Sequence, residues 1–390
     1  DVYKRQAMYP WLIQWYSYTG TGGGTLWIWM VNCLVFLSIL RPERAKVYTV
    51  RIASIILIPF LISVIMYNSY EDVGEEEIEI VVLQPNIDPY SEKFADAENF
   101  IPFPEQIRRF IELSESQIST ETDFVVWPET AIDKWIQESN LSSDTDIQRI
   151  LQFKSNHPNI TLVTGLTSYT IYGKDKKTQT ARYNETLGYY DSFNTAFWID
   201  NASRELYHKS KLVPGVEIMP YPFLFNFLIE LIFDLGGTTG GYGKQDERTV
   251  FRTPDGIGVA PSICYESIYG DFMSIYVRNG AGVIFIITND GWWGDTPGSH
   301  QHMQYATMRA IETRRGIARS ANTGISGFIN QRGDIIEATD YWVQDVRRNT
   351  LKVNNEITFY AAYGDYISRT ASWLSVFLIL GAIVKLRKKK

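Results

Sequence analysis

The sequence predicts an α/β domain with layered sheets, held between helices that enter a membrane. Two observations predict it. From about residue 78 to residue 363, short β-rich runs alternate with stretches of helical periodicity, the pattern of an α/β domain. Three apolar runs then frame that middle, and their ends carry aromatic or basic residues. Composition agrees with both. A chain of 390 residues that is 45% apolar and 14% aromatic is not disordered and has ample length for a large core. With a net charge of −7 and no basic stripe through the middle, nucleic acid is not an expected partner.

The first six residues, Asp1 to Gln6, read as an in-frame translation of a sequencing-library adapter, with no initiator Met before them. On that reading the chain is an N-terminally truncated fragment and residues 1–6 carry no fold information. Residues 11–24 are aromatic and Gly-rich, which predicts a loop or re-entrant stretch at the membrane surface. Spans follow at about 25–40 and 52–67, and a third lies near 371–384. Each is short against the roughly 20 residues a bilayer span needs, so core helices of a soluble protein are the alternative. The flanks favour membrane spans. Trp27, Trp29, Tyr67, Tyr70 and Trp373 sit near the ends, and basic residues cluster at Arg41, Arg44, Lys46 and Arg51 and again at 385–390. One orientation puts both basic clusters in the cytoplasm and the domain between them outside. The expected organisation is a membrane segment over 1–70, an extracytoplasmic domain over 71–369, and a helix with a basic tail over 370–390.

Within the domain, residues 71–77 form an acidic linker. Strands are predicted at 78–83, 123–127, 160–165, 195–199, 256–263 and 283–288, and helices at 103–116 and 300–318. One segment is out of character: residues 221–233 are far more apolar than a surface loop, and glycines crowd 236–243. It reads either as an arm dipping into the bilayer on a glycine hinge or as a buried helix. The glycine run lacks the Gly-Lys-Ser/Thr ending of a phosphate loop.

The chemistry-bearing residues stand at the ends of predicted strands. Cys264 follows Ile263, and the only other cysteine, Cys33, lies in an apolar run, so a disulfide is improbable and Cys264 is a candidate nucleophile. Glu129 follows Trp127-Pro128, where the proline biases its neighbour towards extended backbone. Lys209 follows Tyr207-His208. A thiol, an ammonium and a carboxylate make an acyl-transferring cysteine enzyme possible. Lys209 can hold an oxyanion, Glu129 can move protons, and the Tyr265 N–H can add a second oxyanion donor. Each residue alone also has a structural reading: an inert buried thiol, a surface lysine, a carboxylate capping a turn. No metal is expected. If His300 and His302 lie on a helix, their side chains diverge by about 200°.

In combination, Trp127-Pro128-Glu129, then Lys209, then Ile263-Cys264-Tyr265-Glu266, resemble the carbon–nitrogen hydrolase (nitrilase) superfamily over about residues 78–362. Residues 287–294 and 318–324 also look family-like. The resemblance implies a four-layer α-β-β-α sandwich with Glu129, Lys209 and Cys264 as catalytic triad. Glu217, Tyr265 and Glu266 match supporting positions. One departure is Pro214-Gly215-Val216-Glu217, where the family often reads Pro-Phe-Gly-Glu.

The membrane frame, and residues 14–24 with Trp27, make the chain resemble the apolipoprotein N-acyltransferase family within that superfamily, without the several earlier spans that family carries. The resemblance implies a bacterial inner-membrane enzyme with its catalytic domain on the periplasmic side, no cofactor, and a monomeric state. Its acyl donor would be a membrane phospholipid and its acceptor the N-terminal diacylglyceryl-cysteine amine of an apolipoprotein, with a Cys264 thioester between them. A membrane-tethered amidase and a non-catalytic binding protein are the rival expectations.

Overall fold

Strand β1 (Glu77–Gln84) decides the architecture. Its side chains alternate, as strand geometry requires, between two buried clusters: Ile78, Ile80 and Val82 enter one, Val81 and Leu83 the other. A strand apolar on both faces must lie inside, with another layer on each side. The computed structural model describes residues 8–387 apart from residues 94, 96, 219–240 and 295.

Strands β2 (Thr122–Val126), β3 (Ile132–Gln137), β4 (Thr161–Gly173), β5 (Arg182–Asn184), β6 (Gly188–Ile199) and β7 (Arg204–His208) follow. Then come β8 (Phe251–Arg252), β9 (Gly258–Ile263), β10 (Val283–Thr288), β11 (Gly316–Ala321), β12 (Gly327–Ile329), β13 (Ile335–Ile336) and β14 (Asp345–Lys352). The first sheet has the order β14-β1-β2-β4-β6-β5, with β3 paired to β4 and β7 to β6. The second has the order β13-β12-β11-β10-β9-β8, with β9, β10 and β11 parallel. The helices are α1 (Tyr16–Leu40), α2 (Ala45–Ser69), α3 (Phe103–Glu115), α4 (Thr145–Asn156), α5 (Gly270–Arg278), α6 (Pro297–Thr313), α7 (Phe359–Tyr363) and α8 (Tyr366–Arg387).

The two sheets pack face to face: Phe124 of β2 meets Phe285 of β10 edge-on, ring centroids 5.2 Å apart. Helices α3 and α4 cover the first sheet through Ile107, Phe110, Ile147 and Ile150, while α5 and α6 cover the second through Met273, Tyr276, Met303 and Ala306. The result is the expected α-β-β-α sandwich. The candidate side chains placed just after β2, β7 and β9 can therefore meet.

Helices α1, α2 and α8 are long and apolar enough to cross a membrane. They are longer than the runs read from hydropathy, because polar and glycine-rich turns at their ends are helical too. Residues 11–24 correct an expectation. A 3₁₀ turn at Pro10–Leu12 leads into α1, which starts at Tyr16 rather than after a loop. The helix breaks once, at Gly20 (φ 59°), where a Cβ would stand 2.1 Å from the Tyr360 ring. The glycine is there for close approach to the domain, not for a loop. Beyond that break the Thr21 N–H donates to Glu312 of α6 at 3.1 Å, and Ile13 and Tyr16 pack against Met308 and Ile311.

The helix expected over 300–318 also stops early. Arg314 turns left-handed (φ 52°), and Gly316 opens β11, which pairs in parallel with β10. Ile317 and Ala318 satisfy a strand and a helix pattern equally, and the sheet claims them. The apolar 221–233 segment and most of the 236–243 glycine run lie outside the described residues, as do residues 1–6.

Candidate active site

Glu129 is aimed by its neighbours. Trp127, at the end of β2, is fully buried between Phe110 and Phe153, and its indole N–H donates to Ser114 Oγ at 2.9 Å. The chain then turns through Pro128, and Thr130 adopts a left-handed φ of 46°. Strand β4 passes so close that a Cβ on Gly165 would lie 2.4 Å from Thr130 N. Lys93 fastens the same turn from outside, with Nζ 3.2 Å from Glu129 O and 2.8 Å from Thr130 Oγ1. The Glu129 carboxylate accepts from Asn194 Nδ2 (2.7 Å) and Lys209 Nζ (3.1 Å) on one oxygen, and from Asn289 N (3.0 Å) on the other.

Lys209 follows the last residue of β7, and its own N–H donates to Asn194 O at 2.8 Å, extending the β6 pairing by one step. Its ammonium is buried and lies between two carboxylates, 3.1 Å from Glu129 Oε1 and 2.7 Å from Glu217 Oε1. Burial disfavours the ammonium charge, but Glu129 and Glu217 outweigh it and hold the Lys209 pKa well above the usual lysine range. Glu217 reaches this place despite the unfamiliar residues before it: its second oxygen accepts the Val213 N–H at 2.8 Å.

Cys264 begins a 3₁₀ turn, Cys264–Ile268, directly after β9, with a left-handed φ of 49°. Such a conformation at a non-glycine residue marks a sharp elbow. Burial pushes the thiol pKa up and the Glu129 charge pushes it further, while Lys209 pulls it down less strongly. The resting group is the thiol. A base must take its proton as it attacks, and the sole carboxylates beside Lys209 among the described residues are Glu129 and Glu217.

Glu266 does a different task. Its Oε1 accepts from Tyr207 Oη (2.7 Å), Ser210 N (2.6 Å) and Lys211 N (3.2 Å), and its Oε2 accepts from Ile263 N (2.8 Å). One buried carboxyl thus fastens the Lys209 loop to the Cys264 elbow. Burial pushes its pKa up to about 7, against the pull of those donors. Tyr265, half-buried, packs edge-on against Tyr269 with ring centroids 5.3 Å apart.

Sequence reasoning missed several neighbours. Asn194 lies mid-strand in β6, and Asn289 stands at the end of β10 inside the 287–294 stretch that had been noted but given no role. His302, read only as a member of a divergent pair, is buried, with Nε2 3.1 Å from Cys264 O and Nδ1 2.9 Å from Asp290 Oδ1. His300 lies elsewhere, against the Tyr341 ring. Asp290 also accepts from buried Arg319 Nη2 at 2.7 Å. Burial works against the Asp290 charge, yet Arg319 and His302 hold its carboxyl down at about 2.

A family model described as carbon-nitrogen hydrolase matches residues 74–355, which spans every residue of this cluster. The chain belongs to the carbon–nitrogen hydrolase family. Within it, curated relatives named apolipoprotein N-acyltransferase match along most of the chain. The one from Chlorobaculum tepidum is 30% identical over 98% of this chain and 72% of its own length, which places the chain in that branch. The relative from Bdellovibrio bacteriovorus is 29% identical over 79% of this chain and 54% of its own, and that from Rhizobium rhizogenes 31% over 66% and 44%. The chain therefore spans about half the length of several relatives it matches. Among solved structures, Nit3 of Saccharomyces cerevisiae, from branch 10 of the nitrilase superfamily, superposes with a TM-score of 0.48 at 13% identity over 76% of this chain and 97% of its own. In this carbon–nitrogen hydrolase chain Lys209 contacts Glu129 directly, and both charges act on the Cys264 thiol.

Proposed function

We propose that this chain transfers an acyl group from a membrane phospholipid, through a Cys264 thioester, to the N-terminal amine of a diacylglyceryl-cysteine lipoprotein. The observation that carries the reading is the buried Glu129–Lys209–Glu217 cluster, whose Glu129 and Lys209 charges act on the Cys264 thiol, in a domain bolted to apolar helices. Sγ attacks the ester carbonyl while its proton passes to Glu129, and Lys209 with the Tyr265 N–H holds the oxyanion. Collapse breaks the ester C–O bond, and Glu129 returns the proton to the departing lysophospholipid. The acceptor amine then attacks the thioester and gives up a proton to Glu129. The C–S bond breaks, and that proton goes back to sulfur, leaving an amide and the starting thiol.

The membrane placement follows the charges. Arg41, Arg44, Lys46 and Arg51 lie between α1 and α2 or in the first turns of α2, and Lys385 and Arg387 end α8. With both groups in the cytoplasm of the bacterial inner membrane, the domain between α2 and α8 faces outward, towards the periplasm.

Intact masses after incubation of the detergent-solubilised chain with phospholipid test the reading. An acyl-sized increment on wild type but not on Cys264→Ala is expected. Absence of any increment, together with turnover of small soluble amides, would replace it with a tethered amidase.

A further inference from the structure

The backbone carbonyl of Cys264 is gripped from inside the domain. Ser267 Oγ donates to it at 2.8 Å, and His302 Nε2 lies 3.1 Å from it. Nε2 also lies 3.0 Å from Ser267 Oγ, whose own hydrogen goes to the carbonyl, so both neighbours of this nitrogen accept and it carries the hydrogen. The ring is in turn braced: Nδ1 lies 2.9 Å from Asp290 Oδ1, Thr288 Oγ1 donates to that same oxygen at 3.0 Å, and Arg319 holds the other. His302 is 2% exposed, and Asp290 and Arg319 are wholly buried.

A trans peptide is planar, with its C=O and the following N–H pointing in opposite directions. Whatever fixes the Cys264 oxygen therefore fixes the direction of the Tyr265 N–H. The elbow needs such a brace. Cys264 sits at φ 49°, just after β9 ends and at the first position of a five-residue 3₁₀ turn.

We propose that His302, with Ser267, is a positioning residue that aims the Tyr265 N–H as an oxyanion donor, and that Asp290 and Arg319 hold the imidazole for this purpose. The inference rests on the acyl-transfer reading of the site. It assigns His302 no proton transfer with the thiol, because the nitrogen nearest Cys264 is engaged with the carbonyl. It also gives a role to a buried ion cluster that does not itself join the Glu129–Lys209–Glu217 group.

Two reactions of the same thiol separate this role from simple support of the fold. In a Cys33→Ser background Cys264 is the sole thiol. Alkylation by iodoacetamide occurs at a saturated carbon and forms no oxyanion. Acylation by p-nitrophenyl butyrate forms one: the S–C bond is made, the ester C–O bond breaks, and nitrophenolate leaves as a measurable burst. Loss of an oxyanion donor costs about 10²–10³ in rate, and loss of its aim should cost about tenfold to a hundredfold. His302→Ala is expected to slow acylation by that factor and leave alkylation within about twofold. Ser267→Ala, a milder change, should slow acylation alone by a few-fold, and His302→Gln, which keeps an N–H donor, should recover part of the loss. Equal falls in both reactions, or no fall in either, would overturn the proposal. A wild-type chain that alkylates but never acylates would overturn the acyl-transfer reading beneath it.

Discussion

Two buried charge clusters bracket Cys264, and they are composed differently. Glu129, Lys209 and Glu217 set two carboxylates around one ammonium, and their hydrogen bonds come from the ends of strands, from Asn194 in the middle of β6 and from the 209–217 loop. Asp290, His302 and Arg319 set one carboxylate between two nitrogen bases, on β11, α6 and the turn after β10. The first cluster has acceptor capacity beyond its cation and can take on a proton during a reaction. The second sets two nitrogen groups on its single carboxylate and holds its neighbours still. Burial alone does not separate a reactive cluster from a supporting one; the balance of donors and acceptors does.

Removing the cation of the first cluster should have the largest effect. Lys209→Met leaves Glu129 and Glu217 buried without their cation and removes the proposed positive partner of the oxyanion. Acyl-adduct formation is expected to fall at least about 10³-fold in single-turnover mass measurements. A fall under tenfold would mean that Lys209 is structural and the contrast drawn here is misplaced. Breaking the second cluster should cost stability instead. Arg319→Met strands the Asp290 charge, at about 3–5 kcal/mol by chemical denaturation, and adding Asp290→Asn should restore much of it.

A smaller effect separates the two carboxylates of the first cluster. Glu129 is bonded by Asn194, Lys209 and Asn289 N and is the proposed base, so Glu129→Gln should lose about 10²–10⁴ in acylation rate. Glu217→Gln, which leaves the Glu129–Lys209 contact in place, should lose about tenfold, as for one weakened charged hydrogen bond. Equal losses would make them a single shared base.

The smallest effect is a dependence on pH. The Glu266 carboxyl sits at about 7 in the fold against 4.5 for an ordinary one, so the folded chain holds the extra proton between those values. Its contribution to stability therefore falls as pH rises from 4.5 to about 7. Asp290 has the opposite sign: its contribution is present above 3.8 and is lost as pH falls through about 2. Melting curves of wild type against Glu266→Gln should diverge by about 2–4 °C across the upper window. A pH-independent difference would place Glu266 among the permanently charged groups.

The sequence exposed the first cluster better than the second for a physical reason. Glu129, Lys209 and Cys264 each follow a strand, and local cues mark them: a proline before Glu129, a thiol with no plausible partner, a lysine after an aromatic pair. Asn194 carries no such mark. It becomes a site residue because antiparallel pairing of β4, β6 and β7 sets it beside Glu129 and Lys209. His302 was dismissed on helical geometry that is correct, yet divergence from His300 is what sends it inward to Cys264. The layered α/β domain was legible from strands alternating with helices, and the four-layer sandwich from the family resemblance. The start of α1 was not, because glycines that serve close packing look the same as glycines that break a helix.

One cost is built into the proposed nucleophile. A left-handed backbone at a residue with a Cβ costs about 1 kcal/mol that glycine would not, and Cys264 adopts it at φ 49°. On the proposed reading, Cys264→Gly would relax the elbow while ending the chemistry, so drift towards a more stable chain and persistence of the activity pull this position in opposite directions. A homologous chain that had lost its reaction would be under no pressure to keep the strain, and glycine at this elbow would be the mark of a retired enzyme.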